Sequence, residues 1–347
     1  MPLNQQSLHS VLDKAIDNKK IFGTSFCLKY RGETWNGSSG NIEKDRQFFI
    51  ASTSKLFTTA VILNLISQSK LGLNDKIHTY FDRDIMNKLH VYNGTDYSDK
   101  LTITHLLAHT SGLSDYFLQK DDNGNSIVSE ITKGNDRYLP FEEIISYSKS
   151  LDQLFAPGTK GKAYYSDTNY QLLGKIIENI TGKNISENYN ELIIKPLDLK
   201  STYLYTDIND QKPLTLYFKE KELHIPKAMS SFGPDGGVVS TSQEMMIFLE
   251  AFFSGKLFPA YYIGGLKKWN KIFFPMQSGI GIHRFRLPWI FDPFRKIPDL
   301  IGHSGLSGAL AFYSPERDLY ITGTVNQTAF NDLSFRVLIK LIRKLSI

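Results

Sequence analysis

Residues 48–57 read FFIASTSKLF, with Ser52 three places ahead of Lys55 where an extended apolar stretch gives way to a helical one. The run continues to residue 72 as TTAVILNLISQSKLG. Its apolar residues at Leu56, Phe57, Ala60, Val61, Leu63, Leu65 and Ile66 predict a buried helix ending at Gly72. Two roles compete for Ser52. Serine is a favoured N-cap, so its hydroxyl can satisfy an orphan backbone N–H and do nothing else. A serine three residues before a lysine also places both on one helix face, where the lysine can assist removal of the hydroxyl proton.

The same spacing recurs at Ser67/Lys70 and Ser146/Lys149, so position has to separate the three pairs. Ser52 lies where unpaired N–H groups and the positive end of the helix dipole favour a developing negative charge. Ser67 lies at the opposite end of the same helix, where the dipole opposes an oxyanion. Ser146 and Lys149 fall in EEIISYSKS, on the solvated face of an amphipathic helix.

A serine hydroxyl becomes a nucleophile only when a neighbour takes its proton, and an isolated lysine is protonated at neutral pH unless desolvated. A second titratable partner is therefore expected. FAPGTKGKAYYSDTNYQLLG (155–174) offers Tyr165, followed by Ser166 and Asp167, in a loop just ahead of a helix. GHSGLSGALAFYSPE (302–316) offers His303 at the start of a strand read as an edge strand. Glycines at 302, 305 and 308 would let a substrate approach the strand backbone closely. Taken singly, one tyrosine of 18 or one histidine of eight is more often structural than catalytic.

With STSK, YSD and HSG in this order, the chain resembles the serine β-lactamase and penicillin-binding protein superfamily. It is most similar to the branch holding class C β-lactamases, D-alanyl-D-alanine carboxypeptidases, D-aminopeptidases and related esterases. The resemblance extends through LTITHLLAHTSGL (101–113), PLDLKSTYL (196–204) and GGVVSTSQEM (236–245). It implies an acyl-enzyme mechanism in which Ser52 attacks an ester or amide carbonyl while Lys55 and Tyr165 share its proton. Tyr165 would be held either as a phenolate or as a hydrogen-bonded neutral phenol. The backbone N–H groups of Ser52 and Leu306 would form the oxyanion hole. Asp167, His303, Ser304, Gly305 and Leu306 would border the substrate.

Two residues depart from the common pattern of that superfamily. His303 stands where many β-lactamases carry lysine, and a mostly neutral imidazole attracts a substrate carboxylate less strongly. Asp167 stands where many relatives carry asparagine; an ionised aspartate only accepts hydrogen bonds and repels a carboxylate. It can instead pair with Lys55, keeping that lysine charged and shifting the base role to Tyr165. Both changes weaken the reading as a β-lactamase and leave esterase or peptidase chemistry open, on small esters, amides or D-amino-acid peptides. The competing reading is a catalytically silent protein that binds a peptide or cell-wall fragment in the same cleft.

The rest of the chain sets the frame. Its 347 residues, 41% apolar and 22% charged, are ample for a large core. TSFCLKYRGETWNGSSG predicts two antiparallel strands turning at Arg31-Gly32. The expected fold is α+β, an antiparallel sheet flanked by helices with an inserted, mostly helical domain. Residues 1–77 and 216–347 would form the mixed domain and 78–215 the helical one, with the active site at their junction.

A net charge of +5 with interspersed acids argues against a nucleic-acid partner. Cys27, the sole cysteine, excludes an internal disulfide and a thiolate metal cage. No cofactor or metal is called for, and His105 and His109, four apart with no intervening glutamate, read as structural. Asp198 and Glu178 read as solvated charges. The expected partner is a small-molecule or short-peptide substrate, and nothing fixes an oligomeric state. No transmembrane segment is expected, and the N-terminus reads as an amphipathic helix near Leu8 rather than a secretory signal. That places the protein in the cytoplasm if the chain is complete, or outside if a signal was removed. Residues 252–300 are rich in aromatic and basic residues. They read first as a strand pair with loops whose aromatics complete the core, alternatively as a wall of the cleft or a peripheral membrane contact.

Overall fold

The computed structural model describes residues 3–345. The Arg31-Gly32 turn joins β1 (Gly23–Tyr30) to β2 (Glu33–Gly40), paired antiparallel from Gly23↔Gly40 to Tyr30↔Glu33. The C-terminal third supplies β3 (Asn270–Phe273), β4 (Met276–Ser278), β5 (His283–Phe285), β6 (Leu300–Ser304), β7 (Leu310–Ser314) and β8 (Leu319–Thr324). The sheet runs β3-β4-β5-β6-β7-β8-β1-β2, antiparallel throughout, so the first hairpin docks beside the last strand of the chain.

Helices cover both faces of this sheet. α1 (Gln5–Asp13) and α5 (Leu333–Ile342) bury Leu8, Leu12, Leu338 and Leu341 against Phe26, Leu28, Phe312 and Ile321 on one face. On the other lie α2 (Lys55–Ser67) and α4 (Ser242–Ser254). A larger cluster there unites Leu56–Leu65 with Leu101–Leu113, with Tyr170, Leu172 and Leu173 of α3 (Asp167–Thr181), and with Ile301 of β6. From 77 to 204 the elements are mostly short helices. The architecture is thus α+β, with an antiparallel sheet between helical layers.

α2 is apolar on nearly every side because it is enclosed: ten of its thirteen residues are buried, Lys55 among them. Each fully buried leucine, isoleucine or phenylalanine there contributes roughly 1.5–3 kcal/mol. The helix stops at Ser67, short of the expected Gly72, because Ser69 takes a φ of +58° and Lys70 N–H folds back to the Leu65 carbonyl.

A second correction concerns β6. It is an interior strand between β5 and β7, not an edge. The β5 ladder ends at His283↔Gly302, however, so His303 and Ser304 pair only with β7, opposite Ala311 and Leu310. The sequence signal of an edge was a local one, confined to these last two residues. Among the described residues no helix is long and apolar enough to cross a membrane.

Candidate active site

The strand Phe48–Phe49 leads into Ala51, whose φ of +45° is a left-handed conformation. For an L-residue this costs about 1–2 kcal/mol, and it sits next to the candidate nucleophile. A 3-10 turn over Ala51–Ser54 then enters α2. Neither helical element receives a side-chain cap, and Ser54 Oγ, at the N-cap of α2, accepts instead from the Val238 N–H at 3.1 Å. The capping role for Ser52 therefore falls away.

Ser52 Oγ accepts from Lys55 Nζ at 3.2 Å and lies 2.7 Å from the Tyr165 hydroxyl. Lys55 also donates to Asp167 Oδ1 at 2.5 Å and to the Asp235 backbone carbonyl at 2.7 Å. The three hydrogens of an ammonium thus meet three acceptors. The Tyr165 oxygen is also 3.1 Å from Asp167 Oδ1, so it bridges the serine and the carboxylate. Burial, reinforced by the Asp167 carboxylate, holds the Tyr165 hydroxyl well above its ordinary value, against the opposing effect of its bond to Ser52. Of the two states left open by the sequence, the surroundings select the neutral phenol.

The other two serine–lysine pairs have no such company. Ser67 Oγ returns to its own helix at the Asn64 carbonyl, and Lys149 reaches only the Asp84 carbonyl at the surface.

The turn that follows β6 meets this group at Gly305, where an added Cβ would lie 2.3 Å from the Ile50 carbonyl oxygen and 3.1 Å from Ser52 N. Only glycine permits that approach. Leu306 shares a cavity wall with Ser52. His303 does not line that cavity: it is buried, its Nδ1 donates to the Ser304 carbonyl at 2.8 Å, and its ring stacks on His283 at 4.1 Å. Burial first, then His283 and Lys55, hold it well below the ordinary imidazole value. A neutral ring behind Tyr165 offers no charge to a substrate carboxylate.

Sequence reasoning missed four residues here. His109, read as structural, stacks on Tyr165 at 4.7 Å, and its Nδ1 receives the Ser166 N–H at 3.1 Å. It holds a φ of +56°, so the backbone is bent to present the ring. His283 lies between His109 and His303 and is lowered to about 3 by burial and by Lys55. Asp115 and Asp235 complete a buried acidic set with Asp167. Asp115 is raised well above the carboxylate range by burial and the Asp167 charge, and accepts from the Phe117 and Asp167 N–H groups. Asp235 is raised to about 7 by burial and the same charge, and accepts from Tyr116 and Gln171. The sequence signal for His109 was its place in AHTSGL, but nothing in the string joins 109, 165, 283 and 303.

A pH dependence of stability follows from Asp235. The folded protein binds its proton more tightly than the unfolded chain, about 7 against 3.8. That contribution is complete below about pH 4 and is lost as pH rises to 7, by ~1.4 kcal/mol per pH unit. Urea unfolding between pH 5 and 8 should show wild type losing stability relative to Asp235→Asn at that slope up to pH 7. Parallel curves would reject the raised value.

The family model described as Beta-lactamase matches residues 8–340. The D-alanyl-D-alanine-carboxypeptidase/endopeptidase AmpH of Escherichia coli K12 is 26% identical over 238 residues, 69% of this chain; the aligned part spans only 57% of the relative. An N-acetylmuramyl-L-alanine amidase of Bacillus subtilis 168 is 26% identical over 352 residues, covering 91% of this chain and 76% of the other. Among solved structures, a D-amino acid amidase from Ochrobactrum anthropi SV3 superposes with a TM-score of 0.80 at 20% identity, over 98% of this chain and 97% of its own, a likeness of fold.

Proposed function

The chain belongs to the Beta-lactamase family, and from that premise we propose that it is a serine hydrolase whose substrates are small esters or amides bearing an apolar acyl group and no carboxylate. The observation that carries this reading is the wall of the cavity beside Ser52. Phe117, Val128, Ile131, Ile225, Met229 and Phe232 line it, its ionisable carboxyl groups are Asp167 and Asp235, and no lysine or arginine contributes. An apolar acyl group is desolvated favourably there, whereas a carboxylate would lose its hydration among apolar side chains and find no cation on the wall to compensate.

Catalysis follows from the hydrogen-bonded set. Ser52 Oγ forms a bond to the substrate carbonyl carbon as its proton passes to the Tyr165 oxygen, and Tyr165 passes its own to Asp167. Lys55 remains an ammonium and stabilises the charge moving along this line. The proton returns by the same route to the leaving group, and an ester of Ser52 remains. Water then attacks the ester carbonyl as its proton passes to Tyr165 and that of Tyr165 to Asp167; the proton returns by the same route to the Ser52 oxygen as the acyl–oxygen bond breaks, releasing the acid and restoring the serine. The N–H groups of Ser52 and Leu306 would receive the oxyanion, each such donor supplying roughly 3 kcal/mol. His109, stacked on Tyr165, acts as a positioning residue.

The test is a substrate panel: p-nitrophenyl acetate and butyrate, a D-phenylalanine amide, a peptide ending in D-Ala-D-Ala, and a penicillin. Uncharged apolar acyl compounds should exceed the carboxylate-bearing ones in kcat/KM by about tenfold or more, the scale of one unfavourable charge contact. Preference for the D-Ala-D-Ala peptide or the penicillin would overturn the acyl-group assignment. No turnover of any compound would favour a silent ligand-binding protein.

A further inference from the structure

We propose that the loop 286–298 and the β3–β4 hairpin form a docking surface for anionic lipid bilayers. The expectation that the aromatics of 252–300 complete the core fails at this point. Phe294 is 82% exposed, Ile290 74%, Trp289 71% and Phe274 69%. Phe274 and Phe291 pack ring to ring at 5.9 Å, so hairpin and loop present one apolar projection. Folded proteins seldom leave this many large apolar side chains together in water without something to cover them.

The charge around the projection decides what covers it. Lys271, Arg295 and Lys296 are exposed on the same two segments and enter no ion pair among the described residues. The loop's own acid is spent inward: Asp292 is buried and accepts the N–H groups of Lys296 and Ile297. Asp299 is committed to Arg284 and Arg286. Arg317 donates to the carbonyls of Arg295 and Lys296, anchoring the loop while leaving both cationic side chains outward.

Aromatic and isoleucine side chains flanked by three unpaired cations, against the single exposed carboxylate of Glu316 in the same groove, match an acyl–headgroup boundary of negative charge. A second copy of this chain related by a two-fold would instead bring the three cations against themselves. The projection ends inward at Phe273, whose ring meets Tyr165 edge-on at 6.4 Å, so a docked bilayer would lie beside the candidate site. This assignment is independent of the substrate reading.

Co-sedimentation of the full chain with vesicles tests it. Wild type should pellet with phosphatidylcholine/phosphatidylglycerol vesicles, more weakly with phosphatidylcholine alone, and less as salt is raised. Trp289→Ser/Phe291→Ser/Phe294→Ser should lower partitioning by about tenfold or more. Lys271→Glu/Arg295→Glu/Lys296→Glu should abolish the preference for the anionic vesicles. Unchanged thermal unfolding of both variants secures the comparison. Failure of wild type to pellet with anionic vesicles, or equal pelleting of wild type and the serine variant, would overturn the proposal. So would a dimer, seen by light scattering, that the serine variant dissolves without any vesicle binding; that outcome would give the patch to a second copy.

Discussion

Ser52→Ala is expected to remove the covalent intermediate altogether. Intact-protein mass spectrometry of wild type after incubation with p-nitrophenyl acetate should reveal an acyl adduct, and the variant should carry none. Ester turnover should fall by about 10³-fold or more, since a nucleophile acts as one unit with the groups that deprotonate it. The hydroxyl is only partly buried and its partners Lys55 and Tyr165 keep Asp167 as a common neighbour. Stability should therefore shift by less than about 1 kcal/mol. An adduct persisting in the variant would assign the chemistry to another residue. Absence of both an adduct and ester turnover in wild type would remove the case for an enzyme and leave a binding protein.

The second large effect is expected at Lys55, and it combines folding with chemistry. Lys55 is fully buried, and among the described residues it is the only cation paired with Asp167. Lys55→Met would leave that carboxylate inside with Asp115 and Asp235 nearby and no compensating charge. Breaking one side of a buried pair costs about 3–5 kcal/mol, most of it from the stranded partner. Urea unfolding should register that loss, together with collapse of ester turnover.

The partner's role can then be separated. Asp167→Asn alone strands the ammonium and should also destabilise, whereas Lys55→Met/Asp167→Asn should recover more than half of the loss seen in Lys55→Met. Additive losses in this cycle would mean that the two residues do not act as a pair. Turnover in the double variant should stay low in either case, because both the cation beside Ser52 and the acceptor beyond Tyr165 are gone.

Much of the frame was legible because it is encoded locally. An apolar run from Leu56 to Leu65 reads as a buried helix, and alternation around Arg31-Gly32 suits a hairpin, as found. Ser52 and Lys55 are three apart on one chain segment, so their encounter is a property of that segment. Tyr165 and Asp167 entered through their motif. What was misread was also local evidence taken too far: Gly72 as a helix end, and a glycine-rich strand as an edge. A local turn at Ser69 ended the helix early in the first case, and in the second the short β5 ladder placed the strand inside the sheet.

By itself, then, the sequence determined most of the elements and the α+β class and singled out Ser52 and Lys55 as candidates, because these follow from periodicity, from motifs and from residues close in the chain. Only the tertiary structure decided their chemical states. Burial is a property of the assembled layers: it keeps Tyr165 a neutral phenol, makes neutral stacked rings of His109, His283 and His303, and raises Asp115 and Asp235. The same assembly left Trp289, Phe291 and Phe294 outside the core. Desolvation, and the distance between charges brought in from segments far apart in the chain, cannot be read from spacing along it.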